Sequence, residues 1–193
     1  MQRPAGEQPL SGNSGVLLAR HGQTDDNLEP LRAQGFRDTP LNAVGLEQAH
    51  ALAERVATEF EVRSLWSSDL SRAAVTAEIV GRRIGLEVRL DARLREGNRG
   101  DWEGRVFKDI AREQPDEYAA WLRGGAGFRF PGGESLQEHS DRVWEALEQI
   151  RASGPALVVC HRGSIRAVLC RFDPRGLDAF HEYDVPNTGV VAL

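Results

Sequence analysis

A chain of 193 residues that is 40% hydrophobic and 27% charged has enough material for one filled core, and it carries no compositional mark of a disordered, fibrous or membrane-embedded protein. Its formal net charge of -5 offers no basic footprint, so nucleic acid is not an expected partner. Only Lys108 among the 24 basic residues is a lysine, which leaves mechanisms built on a phosphate-cradling or Schiff-base lysine almost without candidates.

Residues 1–14, rich in Gly, Pro, Ser and Gln, read as a flexible tail and not as a secretion signal. Residues 15–193 read as one domain. Val16–Arg20 is a short apolar run ending in a polar glycine loop, the pattern of a buried strand that delivers residues from its C-terminal end. Asn42 is placed to cap an amphipathic helix, Ala43–Phe60, whose Leu46, Ala49, Leu52, Ala53 and Val56 recur at helical spacing. A second strand is expected at Ser64–Trp66, then a helix from about Asp69 to Arg83 with Ser68 or Asp69 as its cap, and a third strand at Val88–Leu90.

Between 91 and 133 the aromatics Trp102, Phe107, Tyr118, Trp121, Phe128 and Phe130 alternate with many glycines, which predicts short helices and loops forming a lid-like insert above the sheet edge. Ser135 and Glu138 form a capping-box pattern before a helix at Leu136–Arg151, and Ala156–Cys160 is a clear apolar strand. A helix at Ser164–Cys170 and a closing strand at Gly189–Leu193 complete an alternating order, which argues for a three-layer α/β/α sandwich with a mostly parallel central sheet. Cys160 and Cys170, one on a strand and one on a helix, are expected to be buried free thiols. Free thiols, and no apolar run of membrane-spanning length, suit a cytoplasmic protein without membrane contact.

Two histidines each follow an apolar strand and each is flanked by arginine and glycine: Arg20-His21-Gly22 and His161-Arg162-Gly163. In open α/β sheets ligands bind at the carboxyl ends of strands, so both imidazoles can meet there despite their distance in sequence. The segment Arg20-His21-Gly22-Gln23-Thr24 with Asn27 resembles the signature of the histidine phosphatase superfamily, branch 1, which includes the cofactor-dependent phosphoglycerate mutases. The resemblance continues through Gln34-Gly35, Asp38-Thr39-Pro40-Leu41, Gly45, Gln48-Ala49, Ser67-Ser68-Asp69-Leu70-Ser71-Arg72-Ala73 with Thr76-Ala77, Leu94-Arg95-Glu96, Gly100-Asp101-Trp102-Glu103-Gly104, Pro131-Gly132-Gly133-Glu134-Ser135 and the His161 segment.

That resemblance implies a phosphoglycerate mutase-like fold, with His21 as nucleophile, Arg20 and Arg72 as phosphate-binding arginines, His161 as the second pocket histidine and Glu96 as proton donor. It further implies a small phosphomonoester substrate with no cofactor or metal, a homodimer being left open; Asn27, Gln34, Gly35 and Gly163 are candidate substrate contacts from the matching segments, Arg162 is one by its adjacency to His161, and Arg99 is one although many phosphatase relatives have an apolar residue in its place. The residue types suit the chemistry, because planar arginine forks neutralise and orient phosphate oxygens by paired charge-assisted hydrogen bonds. Attack by imidazole needs a bare nitrogen, so the nearby arginines must disfavour imidazolium and a backbone carbonyl is expected to fix the tautomer. Glu96 as a proton donor is expected to have a raised pKa.

Mutases of the superfamily carry glutamate, arginine, histidine, tyrosine and glycine where this chain reads Glu96-Gly97-Asn98-Arg99-Gly100, and they tend to be longer. The departure, followed by Gly-Asp-Trp-Glu-Gly, favours hydrolysis over mutase chemistry. Two further classes stand behind these: a non-catalytic phospholigand binder and a metal hydrolase. Arg99 itself has two readings, an inward residue selecting a second anion or a solvent-facing one.

Overall fold

The computed structural model describes residues 15–193 and the backbone of Arg3–Pro4 (β1), which pairs in parallel with Tyr183–Asp184 (β6). The rest of the tail expected at 1–14 lies outside the described residues. The main sheet is built from Val16–Arg20 (β2), Ser64–Ser67 (β3), Val88–Leu90 (β4), Ala156–Cys160 (β5) and Val190–Ala192 (β7) in the order β4-β3-β5-β2-β7. β4, β3, β5 and β2 are parallel and β7 alone runs antiparallel at the edge beside β2. No helix among the described residues is long and apolar enough to cross a membrane.

Each face of the sheet has its own core, as a sheet covered on both sides requires. Helices Ala43–Glu59 (α1) and Ser71–Ile84 (α2) bury Ala49, Leu52, Val56, Ala73, Ala77 and Val80 against Leu65, Leu157 and Val159. Helices Leu136–Arg151 (α5) and Arg162–Cys170 (α6) bury Val143, Leu147, Ile150, Ile165 and Val168 against Leu18 and Val158. All five residues of β5 are therefore buried, and its unbroken apolar run reflects that central position. The two cysteines are buried and free.

The insert forms a third cluster around Trp102, which is fully buried among Trp121, Phe128 and Phe130. Its helices are Phe107–Glu113 (α3) and Pro115–Arg123 (α4), with 3-10 turns at Ala92–Leu94 and Gly100–Trp102. Asn42 caps α1 through the Gly45 amide, and Ser135 with Glu138 completes the capping box of α5.

The start of α2 departs from expectation. Its N-cap position is Leu70, which has no side chain able to cap, and the first helical amide, that of Ser71, donates 2.8 Å to Oδ1 of Asp38 on a distant loop. Asp69 is instead drawn off by Arg95, in paired bonds of 2.7 and 2.5 Å. α6 also begins earlier than expected, directly after His161.

Candidate active site

The parallel register of β2 and β5 sets Arg20 opposite Cys160, so the residues that follow, His21 and His161, emerge side by side. The His21 amide donates to the Cys160 carbonyl at 3.0 Å, and the two imidazole centroids are 5.2 Å apart. Both rings are buried. Nδ1 of His21 lies 2.6 Å from the Gly22 carbonyl, an acceptor only, so Nδ1 must carry the proton and Nε2 is bare. Burial, then the charges of Arg72 and Arg20, hold the His21 pKa well below the usual histidine range, so the ring stays neutral. His161 is held down by burial, Arg72 and His21 in the same way, and both of its nitrogens are buried without a partner among the described residues.

Arg20 and Arg72 approach the same space and spend their forks on carbonyls. Arg20 donates to Val185 at 2.8 Å, while Arg72 donates to Arg37 and Gly35 at 2.9 Å each. The Nε of each is buried without a partner among the described residues. Neither guanidinium forms an ion pair among the described residues, whereas Arg93, Arg95 and Arg142 outside the site are all paired with carboxylates. Two buried cations with unmet donors beside two neutral imidazoles make a receptor for a compact anion.

Glu96 stands where the chain leaves the Ala92–Leu94 turn, within electrostatic reach of Arg20 and Arg72. Its Oε1 accepts from the Gly97 amide and its Oε2 from the Gly163 amide at the first turn of α6, each at 3.0 Å. The expected raised pKa is overturned. Burial pushes this carboxyl up, but the charge of Arg99, the helix-terminal Gly163 amide and the Gly97 amide outweigh it and hold it at about 2. His139 Nε2 stands 3.9 Å from Oε1 and is itself held at about 4, chiefly by burial, so it is neutral at pH 7 and leaves Glu96 a carboxylate in the free protein.

The outer shell divides. Gly163 was expected to touch substrate, yet its amide is taken by Glu96, and a Cβ there would stand 2.2 Å from Oε1; it positions the carboxylate. Gly35 likewise serves Arg72 through its carbonyl, with a φ of +57° and only 2.3 Å between a would-be Cβ and Glu103, both of which require glycine. Gln34 is buried and donates to Thr24, and Asn27 accepts from the Thr24 amide and from Asn187, so both brace the loop behind His21. Arg162 is exposed. Arg99 turns inward, with its guanidinium carbon 5.0 Å from the Phe130 ring centre, 5.6 Å from Trp121 and 5.7 Å from Phe107.

Several contributors have no role assigned from sequence, although Thr76 lies in a matching segment. Thr76 accepts the Gly22 amide at 3.1 Å, and Asn187 donates to the His21 carbonyl at 3.0 Å. His139 Nε2 donates to Ser164 Oγ, because that hydroxyl spends its own proton on the Arg95 carbonyl. The only signal for His139 in the sequence is a histidine on the apolar face of α5, which reads equally well as a core residue.

Comparison with known proteins agrees with this geometry. The family model described as the histidine phosphatase superfamily (branch 1) matches residues 16–193. Phosphoglycerate mutase-like protein 4 of Arabidopsis thaliana is 38% identical over 164 residues, covering 82% of this chain and 71% of that protein. The probable phosphoglycerate mutase GpmB of Escherichia coli O1:K1 / APEC is 42% identical over 147 residues, covering 74% of this chain and 67% of its own length. The solved structure of a mycobacterial glucosyl-3-phosphoglycerate phosphatase, complexed with VO3, superposes with a TM-score of 0.81 at 33% identity, covering 90% of this chain and 87% of that one.

Proposed function

The chain belongs to branch 1 of the histidine phosphatase superfamily, and from that premise we propose that it is a phosphomonoester hydrolase working through phosphohistidine on a small phosphorylated metabolite. The observation that carries this reading is the Gly22 carbonyl 2.6 Å from His21 Nδ1, which leaves Nε2 unprotonated beside Arg20, Arg72 and His161. Nε2 forms a bond to phosphorus while the bond from phosphorus to the leaving oxygen breaks, and Glu96, having taken up a proton, passes it to that oxygen. The proton stays on Nδ1, donated in a hydrogen bond to the Gly22 carbonyl, which supports the positive charge that develops on the ring. In the second half, Glu96 takes a proton from water, the water oxygen bonds to phosphorus, and the phosphorus–nitrogen bond breaks to return bare Nε2 and inorganic phosphate. Arg20, Arg72 and neutral His161 hold the non-bridging oxygens throughout, so positioning and electrostatics supply most of the rate.

Since Glu96 is a carboxylate in the free protein, its proton has to come with the substrate. A phosphomonoester loses its second proton near pH about 6, so the monoanion can deliver it, and the dianion formed alongside Glu96 raises the carboxyl pKa where the transfer needs it.

The names of the relatives favour a second reading, a phosphoglycerate mutase. Glu96-Gly97-Asn98-Arg99-Gly100 at the acid loop weighs against it. Purified protein, in chelator, is offered a panel of phosphomonoesters beside His21→Ala: phosphate release by the wild type alone supports hydrolysis, and isomerisation dependent on a bisphosphate primer supports the mutase. Equal release by both proteins removes His21 from the chemistry.

A further inference from the structure

Arg20, Arg72, His21 and His161 suffice for one phosphoryl group, and a second set of cations remains unused. Arg99 lies over the insert's aromatic cluster, where Phe107 and Trp121 stack with centroids 5.0 Å apart, and its Nη1 is buried with no partner among the described residues. Its side chain makes no hydrogen bond or ion pair among the described residues; only its backbone is engaged, the amide donating to Glu103 and the carbonyl accepting from the Trp102 amide, each at 3.1 Å. Arg166 is buried and gives its Nε to the Tyr183 carbonyl at 2.7 Å, again without a carboxylate. Arg162 stands exposed at the start of α6.

These guanidiniums lie within electrostatic reach of one another. Arg20 is brought down to about 9, first by burial and then by Arg162, and Arg166 to about 10 by burial and Arg162, while Glu96 offsets part of each. Arg99 responds to burial, Glu96 and Arg162. Set against Glu96 and the two negative charges of a phosphomonoester, Arg20, Arg72, Arg99, Arg162 and Arg166 leave the pocket cationic. A desolvated guanidinium with an unmet donor, held over aromatic faces that fix its plane, is arranged to receive a planar or tetrahedral oxyanion.

We propose, building on the phosphoryl-transfer reading above, that the substrate carries a second anionic group a short carbon chain from the phosphoryl group, and that Arg99 is the residue that selects it, with Arg162 as the neighbouring cation. A neutral hydroxyl in that place leaves Nη1 only a weak acceptor and the surplus charge unmet.

Three probes of matched backbone separate the possibilities: glycerol 3-phosphate, 3-phosphoglycerate with a terminal carboxylate, and glycerol 1,3-bisphosphate with a terminal phosphate. Wild type should favour one or both of the doubly anionic probes in kcat/KM by about tenfold to a hundredfold, and which one it favours tells carboxylate from phosphate. Arg99→Ala should erase most of that preference and Arg99→Lys should restore part of it. All three probes lose some rate in Arg99→Ala because Arg99 also acts on Glu96, so the ratio between probes is the quantity that decides. The same ratio, read as Kd by calorimetry on His21→Ala, does not depend on turnover. A binding preference without phosphate release would sink the hydrolase reading and keep this one. Turnover or binding with no preference, a preference that survives Arg99→Ala, or no binding of any probe would overturn the role of Arg99.

Discussion

The two ends of the pocket are built on different principles. At the phosphoryl end, His21 and His161 are set by the register of two central parallel strands, and their protonation is fixed by a backbone carbonyl and by burial. At the end proposed for the leaving group, Glu96 sits on a loop, and its charge is set by groups gathered from elsewhere: Arg99 from the insert and the Gly163 amide from α6. The sheet thus imposes geometry that tolerates little variation, while the loop end is tuned by electrostatics that differ with each neighbour. A superfamily that keeps one chemistry and varies its substrates has use for that division.

The largest test of the contrast is Glu96→Gln, which leaves the strand-built end intact. It should slow alkyl phosphates by about 10²–10⁴-fold and phosphates with a good phenolic leaving group far less, because the latter need little protonation. Equal losses on both would place Glu96 outside proton transfer.

A pH profile sharpens the same contrast. Glu96 at about 2 and neutral His21 do not change protonation across the working range, so the free enzyme contributes no titration there. kcat/KM should therefore stay level below pH about 6 and fall about tenfold per unit above it, as the substrate monoanion is depleted. An acid limb at the ordinary glutamate pKa would contradict the depressed carboxyl.

Stability should show the cost of burying neutral histidines. His139 is held at about 4 against an unfolded value near 6.5, so its contribution is complete above pH 6.5 and is lost as pH falls towards 4, by about 3 kcal/mol in total. His21 and His161 shift in the same direction. Thermal unfolding of His139→Gln should lose stability less steeply than wild type between pH 6.5 and 4, whatever the two values are at pH 7. Parallel curves would mean that His139 does not titrate in that window.

The smallest effect concerns the remote cap of α2, the helix that carries Arg72. Removing the Asp38 carboxylate in Asp38→Ala should cost about 1 kcal/mol, read as a lower urea midpoint. No change would mean that water replaces the cap without loss.

The phosphoryl end was legible in the sequence because its determinants are local: apolar runs at Val16–Arg20 and Ala156–Cys160, each ending at a histidine. The same holds for the capping box at Ser135 and the cap at Asn42. The start of α2 was misplaced because its cap, Asp38, comes from another loop, and Asp69, the obvious local candidate, is held by Arg95. The raised pKa expected of Glu96 failed for a related reason. A glutamate's neighbours in sequence say nothing of a guanidinium fixed by Phe107, Trp121 and Phe130, or of an amide offered by α6. Gly163 belongs to the His161 segment and reads as a substrate contact there, and only the fold shows that its amide donates to the Glu96 carboxylate.

The central claim is that His21 Nε2 becomes phosphorylated during turnover. Rapid quenching at neutral pH with a fast-reacting aryl phosphate, followed by peptide mass analysis under alkaline conditions that preserve phosphohistidine, tests it directly. A phosphoryl group on the peptide containing His21, absent in His21→Ala and accumulating when the second half-reaction is slowed, is the result this account predicts. Sustained phosphate release with no phosphoryl-enzyme at any quench time, together with inversion at a chiral phosphorus centre, would show direct attack by water and contradict it.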